Sequence, residues 1–331
     1  MLVAGANGAG KTNLLEALHV GTQGFSPRTR NEARLVRFGR DTGRIRLHGD
    51  RAGVDLELDV ALHLRDAKRA TLNGVRLRSA EELRSEVATL VFTPDRLVLV
   101  KGAPAARRAY FDRALGRVAP ARASLPAEYG AAIAQRNAAL RGIAGGYSSR
   151  AALAPWTEKV ADLGASLVAA RREVIALLEP YFAERAADLG LPDAGLRYDG
   201  EPPAVAALEA RLERDLQRGT TGLGPHLDDV ALLSGERDLR AFGSQGEQRL
   251  TVLSLLLAEA ELVRARRGFP PLLLLDDVLS ELDSERRLRL AERIRSYGQT
   301  LVTTTSARAL PTEPDQLVEV TATPEGTVVS P

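Results

Sequence analysis

The chain has no cysteine, one methionine, one tryptophan and only 4% aromatic residues in 331. Without thiols, disulfide frameworks and thiolate metal sites are excluded, and nothing suggests an oxidising compartment. Lysine is also scarce: Lys11, Lys68, Lys101 and Lys159 are the only four. No apolar run approaches the ~18 residues needed to span a bilayer, and no basic segment followed by an apolar stretch opens the chain. A soluble, cytoplasmic protein without membrane partners is therefore expected. With 44% hydrophobic residues there is ample core material, and the length suits two compact units.

Positive charge is carried by arginine. Eight arginines stand against Glu32, Asp41 and Asp50 in residues 28–51, and Lys101, Arg107, Arg108, Arg113, Arg117 and Arg122 form a second cluster. Guanidinium forks suit phosphate oxygens, and a solvated basic face explains the same pattern. The net charge, +2, decides nothing between them.

What is present near the amino terminus is Gly5-Ala6-Asn7-Gly8-Ala9-Gly10-Lys11-Thr12, a complete G-x-x-x-x-G-K-T loop after the apolar opening Met1-Leu2-Val3-Ala4. In such a loop, glycines let backbone N–H groups face a triphosphate, Lys11 reaches the terminal phosphates and the Thr12 hydroxyl ligates Mg²⁺. Asn13 opens a helix whose positive end points at the same phosphates. ATP and Mg²⁺ are the expected cofactors.

Far downstream, Leu272-Leu273-Leu274-Leu275 ends in Asp276-Asp277. So short a leucine run reads as a strand buried on both faces of a parallel sheet, which puts the two acids at the edge where ligands of open α/β sheets bind. Asp276 would hold Mg²⁺ and Asp277 would orient the attacking water. The alternation of Val54 to Val60 predicts a half-exposed strand, with more strands in 70–77, and 299–305 another buried strand.

The distance from Lys11 to Asp276 far exceeds what a strand-helix-strand core needs, so something is inserted. Residues 112–218 read as a helical arm, between head segments 1–111 and 219–331. Trp156, Val160, Leu163, Leu167, Ala170, Val174 and Leu178 make a helix-packing seam whose partner is a helix over 126–141, turned back at Gly145-Gly146-Tyr147-Ser148-Ser149. Pro180 is expected to end or kink the second helix, and Val205, Leu208, Leu212 and Leu216 mark a third.

Ser244-Gln245-Gly246-Glu247 satisfies the S-x-x-E capping pattern at the start of an amphipathic helix. Ser-x-Gly-x-Gln upstream of a leucine strand ending in two acids also resembles the signature motif of ABC-type ATPases. In that family the motif of one head meets the terminal phosphate held by another. Ser244 and Gly246 are thus candidate nucleotide contacts in trans, and Ser280-Glu281-Leu282-Asp283 looks like the loop linking two composite sites.

Six segments in order narrow the resemblance: Gly5 to Glu16, Phe92-Thr93-Pro94-Asp95, Lys101-Gly102-Ala103-Pro104 with Arg107-Arg108, Gln135 to Leu140, Gly224-Pro225-His226-Leu227-Asp228-Asp229, and Gly243 to Arg249. Together they resemble the RecF family of DNA replication and repair proteins over nearly the whole chain. The resemblance implies an α/β fold, an ABC-type P-loop ATPase head of mixed sheets and helices with an inserted α-helical arm. It implies ATP-dependent homodimerisation on DNA at single-strand gaps or junctions, slow ATP hydrolysis without chemistry on DNA, and cooperation with RecR and RecO in loading RecA. Carried over by position, Gly5, Ala6, Asn7, Gly8, Ala9, Gly10, Lys11, Thr12 and Asn13 cradle the nucleotide, Thr12 and Asp276 hold Mg²⁺, and Asp277, Lys11 and Ser244 act in hydrolysis. Thr303 or Thr304 stands where transporters have a switch histidine. Arg107, Arg108 and Arg136 belong to family motifs and either touch DNA or brace the arm.

Two departures stand out. Relatives place strands before the phosphate loop, so either the start codon is assigned too late or the head lacks an edge. Relatives also commonly have a basic residue at Leu227, and His226 is read as a packed turn residue. Other functions for the motifs are a transporter-type ATPase subunit or that of another machine, a structural DNA clamp that never turns ATP over, and a small-molecule kinase; the long paired helices and the Ser244 motif weigh against the first and last.

Overall fold

In the computed structural model, which describes residues 1–29, 31–51, 53–323 and 326–330, the leucine run forms the strand Leu272–Leu275. Leu273, Leu274 and Leu275 are wholly buried, each contributing about 1.5–3 kcal/mol by leaving water. This strand pairs in parallel with Thr89–Phe92 on one side and Thr300–Thr304 on the other. The opening strand Leu2–Ala4 lies between Thr300–Thr304 and Leu317–Thr323, parallel to both, and antiparallel Gly326–Ser330 closes that edge. Among the described residues these strands make one six-stranded sheet. Its five adjacent parallel strands bring their carboxyl ends to one edge.

A second, four-stranded antiparallel sheet is built from Thr42–Arg51, Val54–His63, Arg69–Leu72 and Val75–Arg76. Period two puts Leu58, Val60 and Leu62 on the inner face, where they pack with Val20, Val36 and Leu83. On the outer face Asp59 holds Arg44 through two 2.9 Å contacts to Nε and reaches Arg46 at 3.3 Å. The sequence showed no strand at 42–51, because its arginines and glycines hide the alternation.

The chain divides into two compact units, Met1–Arg96 with Asp188–Gly190 and Val252–Pro331, and Leu97–Ala187 with Leu191–Thr251. The second unit is wider than the insertion expected at 112–218. It starts with the helices Val98–Lys101 and Pro104–Val118 and takes in a small antiparallel sheet of Ala194–Tyr198, Val230–Ser234 and Arg237–Asp238. Helices Leu125–Ala144 and Ala154–Asp188 form the hairpin, with Tyr129 and Ala132 against Val160, Ala161 and Leu167. Trp156, expected on the seam, stands 36% exposed.

Pro180 does not end the second helix, which continues to Asp188 with Leu178, Phe182 and Ala186 wholly buried around the proline. That burial offsets the roughly 3 kcal/mol an interior proline costs. The third helix is two, Val205–Ala210 and Leu212–Arg218, separated at Arg211, whose φ of −96° and ψ of −1° stay right-handed but depart from regular helix values.

Candidate nucleotide-binding site

The carboxyl edge of the six-stranded sheet carries the phosphate loop. Strand Leu2–Ala4 gives way to Gly5, and helix Lys11–Gln23 begins directly after Gly10, whose φ of 104° is left-handed. A Cβ on Gly10 would also stand 2.3 Å from the Thr327 hydroxyl oxygen, so glycine is required by both torsion and space. Gly8, at φ 81°, has nothing within 4 Å of the corresponding position and leaves the cradle open.

Lys11 is buried, and its ammonium donates to the carbonyls of Gly5 at 2.7 Å and Ala6 at 2.9 Å, held by the loop it serves. One turn of chemistry away, the Thr12 hydroxyl donates to Asp276, 3.1 Å from Oδ1 and 3.0 Å from Oδ2. Asp276 follows strand Leu272–Leu275, its N–H donating to the Phe92 carbonyl at 2.9 Å. Thr303 Oγ1 donates to Asp276 Oδ1 at 2.7 Å and accepts from the Asp277 N–H at 2.9 Å. Thr304 instead turns to Ser306, so of the two hydroxyls only Thr303 contacts the acids.

Asp277 sits in the left-handed region at φ 49°, ψ 29°, a conformation that costs a non-glycine residue about 1–2 kcal/mol. Ser280 Oγ lies 2.9 Å from both its carbonyl oxygen and its Oδ2.

Asn7, Gly8, Gly10, Lys11, Thr12, Asn13, Asp276 and Asp277 line one cleft of about 370 Å³, within the range of ligand sites. Gly5, Ala6 and Ala9 do not reach it. Gly5 and Ala6 line a neighbouring depression with Glu319 and Thr321, and the Ala9 methyl packs with Val3, Val318 and Val320. The cleft also contains Arg28 and Thr305. Arg28 is placed by Ser26, which accepts from its N–H at 3.0 Å, and by Glu16 at 3.4 Å; in the sequence it was one arginine among eight.

These residues fit a nucleoside triphosphate with Mg²⁺. Gly8 leaves room, the loop and helix start supply N–H groups, and Thr12 with Asp276 offers hard oxygens at the close spacing of shared metal ligands. Mg²⁺ takes one or two protein oxygens and completes its shell from phosphate and water, so the absence of any three-residue cluster of His, Cys, Asp and Glu among the described residues is in keeping.

Ser244 and Gly246 belong to the second unit and are exposed at the start of helix Gln245–Arg267. The capping box forms in full: Glu247 N–H donates to Ser244 Oγ at 3.2 Å, and Ser244 N–H donates to Glu247 Oε2 at 2.7 Å. Those bonds from Ser244 hold the Glu247 carboxyl below its usual pKa.

Arg107, Arg108 and Arg136 of the second unit are engaged within that unit. Arg107 is buried and bidentate to Asp229 at 2.6 and 2.7 Å, while Nη1 reaches three carbonyls, those of Leu99, Val100 and Gly102. Arg108 donates to the Asp228 carbonyl at 2.6 Å. Arg136 is fully buried against Asp215 and Thr221. His226 bridges Tyr129 at 2.8 Å and the Thr221 carbonyl at 3.0 Å, a packed turn residue. Leu227 beside it is exposed. Arg30 of the first basic cluster lies outside the described residues.

Fold and cleft together define a P-loop head of the class whose phosphate loop and acidic strand end face one another across a mixed sheet. The RecF/RecN/SMC N terminal domain family matches residues 1–329. The "DNA replication and repair protein RecF" of Heliobacterium modesticaldum is 35% identical over 96% of this chain and 88% of its own length. That of Anaeromyxobacter sp. (strain K) is 40% identical over 93% and 87%. A solved structure described as the recombination mediator protein RecF-ATP in RecFOR pathway superposes with a TM-score of 0.86 at 26% identity, over 99% of this chain and 90% of that one. The Smc head domain of Pyrococcus furiosus, at 17% identity and a TM-score of 0.58, shares the fold. The chain belongs to the RecF family of DNA replication and repair proteins.

Proposed function

We propose that the protein is an ATP-driven DNA-binding switch, a recombination mediator that dimerises on DNA at single-strand gaps and, with RecR and RecO, promotes RecA loading in repair and replication restart. The observation that carries the reading is the meeting of Thr12 with Asp276 at 3.0 Å beside Lys11, across 264 residues of sequence. It is supported by relatives named as RecF and by structures described as RecF-ATP and RecF-ATPrS in RecFOR pathway.

In this reading Lys11 leaves the Gly5 and Ala6 carbonyls for the terminal phosphates. Mg²⁺, held by Thr12 and Asp276, supplies charge neutralisation at the phosphates. Asp277 orients the attacking water, and Ser244 of a second copy faces the terminal phosphate with the Gly246 N–H at an exposed helix start. Positioning and charge neutralisation carry the acceleration, and hydrolysis is slow and releases the dimer.

Sedimentation with and without ATP and gapped DNA tests this. The expected result is a monomer that becomes a dimer with ATP and is retained on gapped DNA, with Ser244→Arg blocking dimerisation while ATP still binds. A variant that dimerises normally removes the trans role of Ser244. A chain that stays monomeric and ignores DNA overturns the switch.

A further inference from the structure

One turn of the first unit serves neither its core nor the nucleotide cleft. Leu35 and Val36 pack inward on the cluster of Leu58, Val60 and Leu62, which anchors the chain on one side, and strand Thr42–Arg51 begins on the other. Between them the Arg40 N–H donates to the Arg37 carbonyl at 3.0 Å, and Gly39 takes a φ of 78°. The anchored turn projects Phe38 into water, with no part of its ring covered. It is the most exposed of the large apolar residues described.

The surroundings of that ring have a definite sign. Arg34, Arg37 and Arg40 are exposed and form no ion pair among the described residues, whereas Arg44 and Arg46 on the next strand are both engaged by Asp59. Asp41 is the single acid in residues 33–41. The Leu64 N–H donates to the Asp41 carbonyl at 3.1 Å, so the exposed Leu64 and Arg65 follow directly beside the turn. A lone ring among open guanidinium groups does not make the contiguous apolar patch of a protein interface. It matches a ligand with planar apolar faces strung on a polyanion. Arginine forks fit phosphate oxygens, and a phenyl face stacks on any base whose own face is uncovered.

We propose that the turn 36–40 is a DNA contact in which Phe38 stacks on an unpaired base while Arg34, Arg37 and Arg40 bind the flanking phosphates. The inference rests on the DNA-binding reading above and deepens it. Stacking requires an uncovered base, so the turn favours gaps and junctions over continuous duplex without reading sequence.

The test measures affinity of the full chain with ATP for a gapped duplex and for a continuous duplex of the same length, by fluorescence anisotropy across a salt series. Phe38→Ala should weaken gapped-DNA binding by roughly fivefold to 150-fold, the span of one base–aromatic stack, and leave the continuous duplex nearly unchanged. Phe38→Trp should keep gapped-DNA affinity and show quenched emission on binding, beyond any change in the parent protein. Replacing Arg34, Arg37 and Arg40 by Gln should lower the salt slope by about 2–3, as lost phosphate contacts do. Parent-like gapped-DNA affinity in Phe38→Ala overturns the proposal while leaving the DNA reading intact. Equal losses on both DNAs, or loss of dimerisation with DNA affinity preserved, also overturn it. A parent protein that binds neither DNA removes both readings. Unchanged ATP binding in each variant confirms that the fold is kept.

Discussion

Thr303 donates its hydroxyl hydrogen to Asp276 over 2.7 Å and accepts the Asp277 N–H on the same oxygen over 2.9 Å. One wholly buried side chain thus fixes both members of the acidic pair. Thr303→Val keeps the volume and strips away both bonds, a loss of about 1–3 kcal/mol for a buried group left unpaired. ATP turnover should fall at least about tenfold, ATP affinity should change less, and Thr303→Ser should restore turnover. Single-turnover hydrolysis beside equilibrium nucleotide binding reads the two apart. Equal activity in Thr303→Val would show that the acids need no such brace.

Asp276 and Thr12 predict a metal response. Asp276→Asn should retain measurable nucleotide binding and lose most of the gain in affinity that added Mg²⁺ brings to the parent, and Thr12→Ala should lose it in part. Titration of a fluorescent ATP analogue with and without Mg²⁺ distinguishes them. A parent-like Mg²⁺ gain in Asp276→Asn would place the ion elsewhere.

In the second unit, Arg136 and Asp215 are each about 1% exposed and 2.9 Å apart. Removing one partner strands the other charge in the interior. Arg136→Met or Asp215→Leu should therefore cost about 3–5 kcal/mol of that unit's stability. Arg136→Met combined with Asp215→Leu should cost less than the sum of the single changes. Urea unfolding followed by circular dichroism measures the cycle, and strict additivity would mean the pair is not coupled.

His226 gives the second unit a pH response. Burial lowers its pKa below 6.5, the charge of Arg108 acts in the same direction, and the Thr221 carbonyl opposes them. Below 6.5 the unfolded chain takes up a proton that the folded chain resists. Stability is therefore fully present above that pH and declines as pH falls toward the depressed folded value. The urea midpoint should be lower at pH 5.5 than at pH 7.5, and His226→Gln should flatten the difference. An undiminished difference in the variant would assign the response to other groups.

The site was legible in the sequence because its chemistry is local. The phosphate loop and the Leu272 to Asp277 run each carry their own signature, and a strand buried on both faces must be apolar throughout. The choice between Thr303 and Thr304 was not legible, since adjacent hydroxyls on a strand differ only in the face they take. Arg28 joins the cleft through the Glu16 and Ser26 contacts, a tertiary placement with no periodic mark. The roles of Arg107 and Arg108 were hidden for a related reason: their partners Asp229 and Asp228 lie about 120 positions downstream. Pro180 does not stop its helix because the buried stripe along 35 residues outweighs one missing hydrogen bond.

The strand Leu2–Ala4 occupies the middle of the six-stranded sheet, hydrogen-bonded to Thr300–Thr304 and Leu317–Thr323. During synthesis Leu2–Ala4 must wait for segments about 300 positions later before it gains these neighbours. Until then this apolar strand is a naked edge, and the phosphate loop has no acid facing it. Truncated or stalled products of this gene would thus carry the nucleotide motif without any competence to use it, and they would be natural clients for chaperones and proteases.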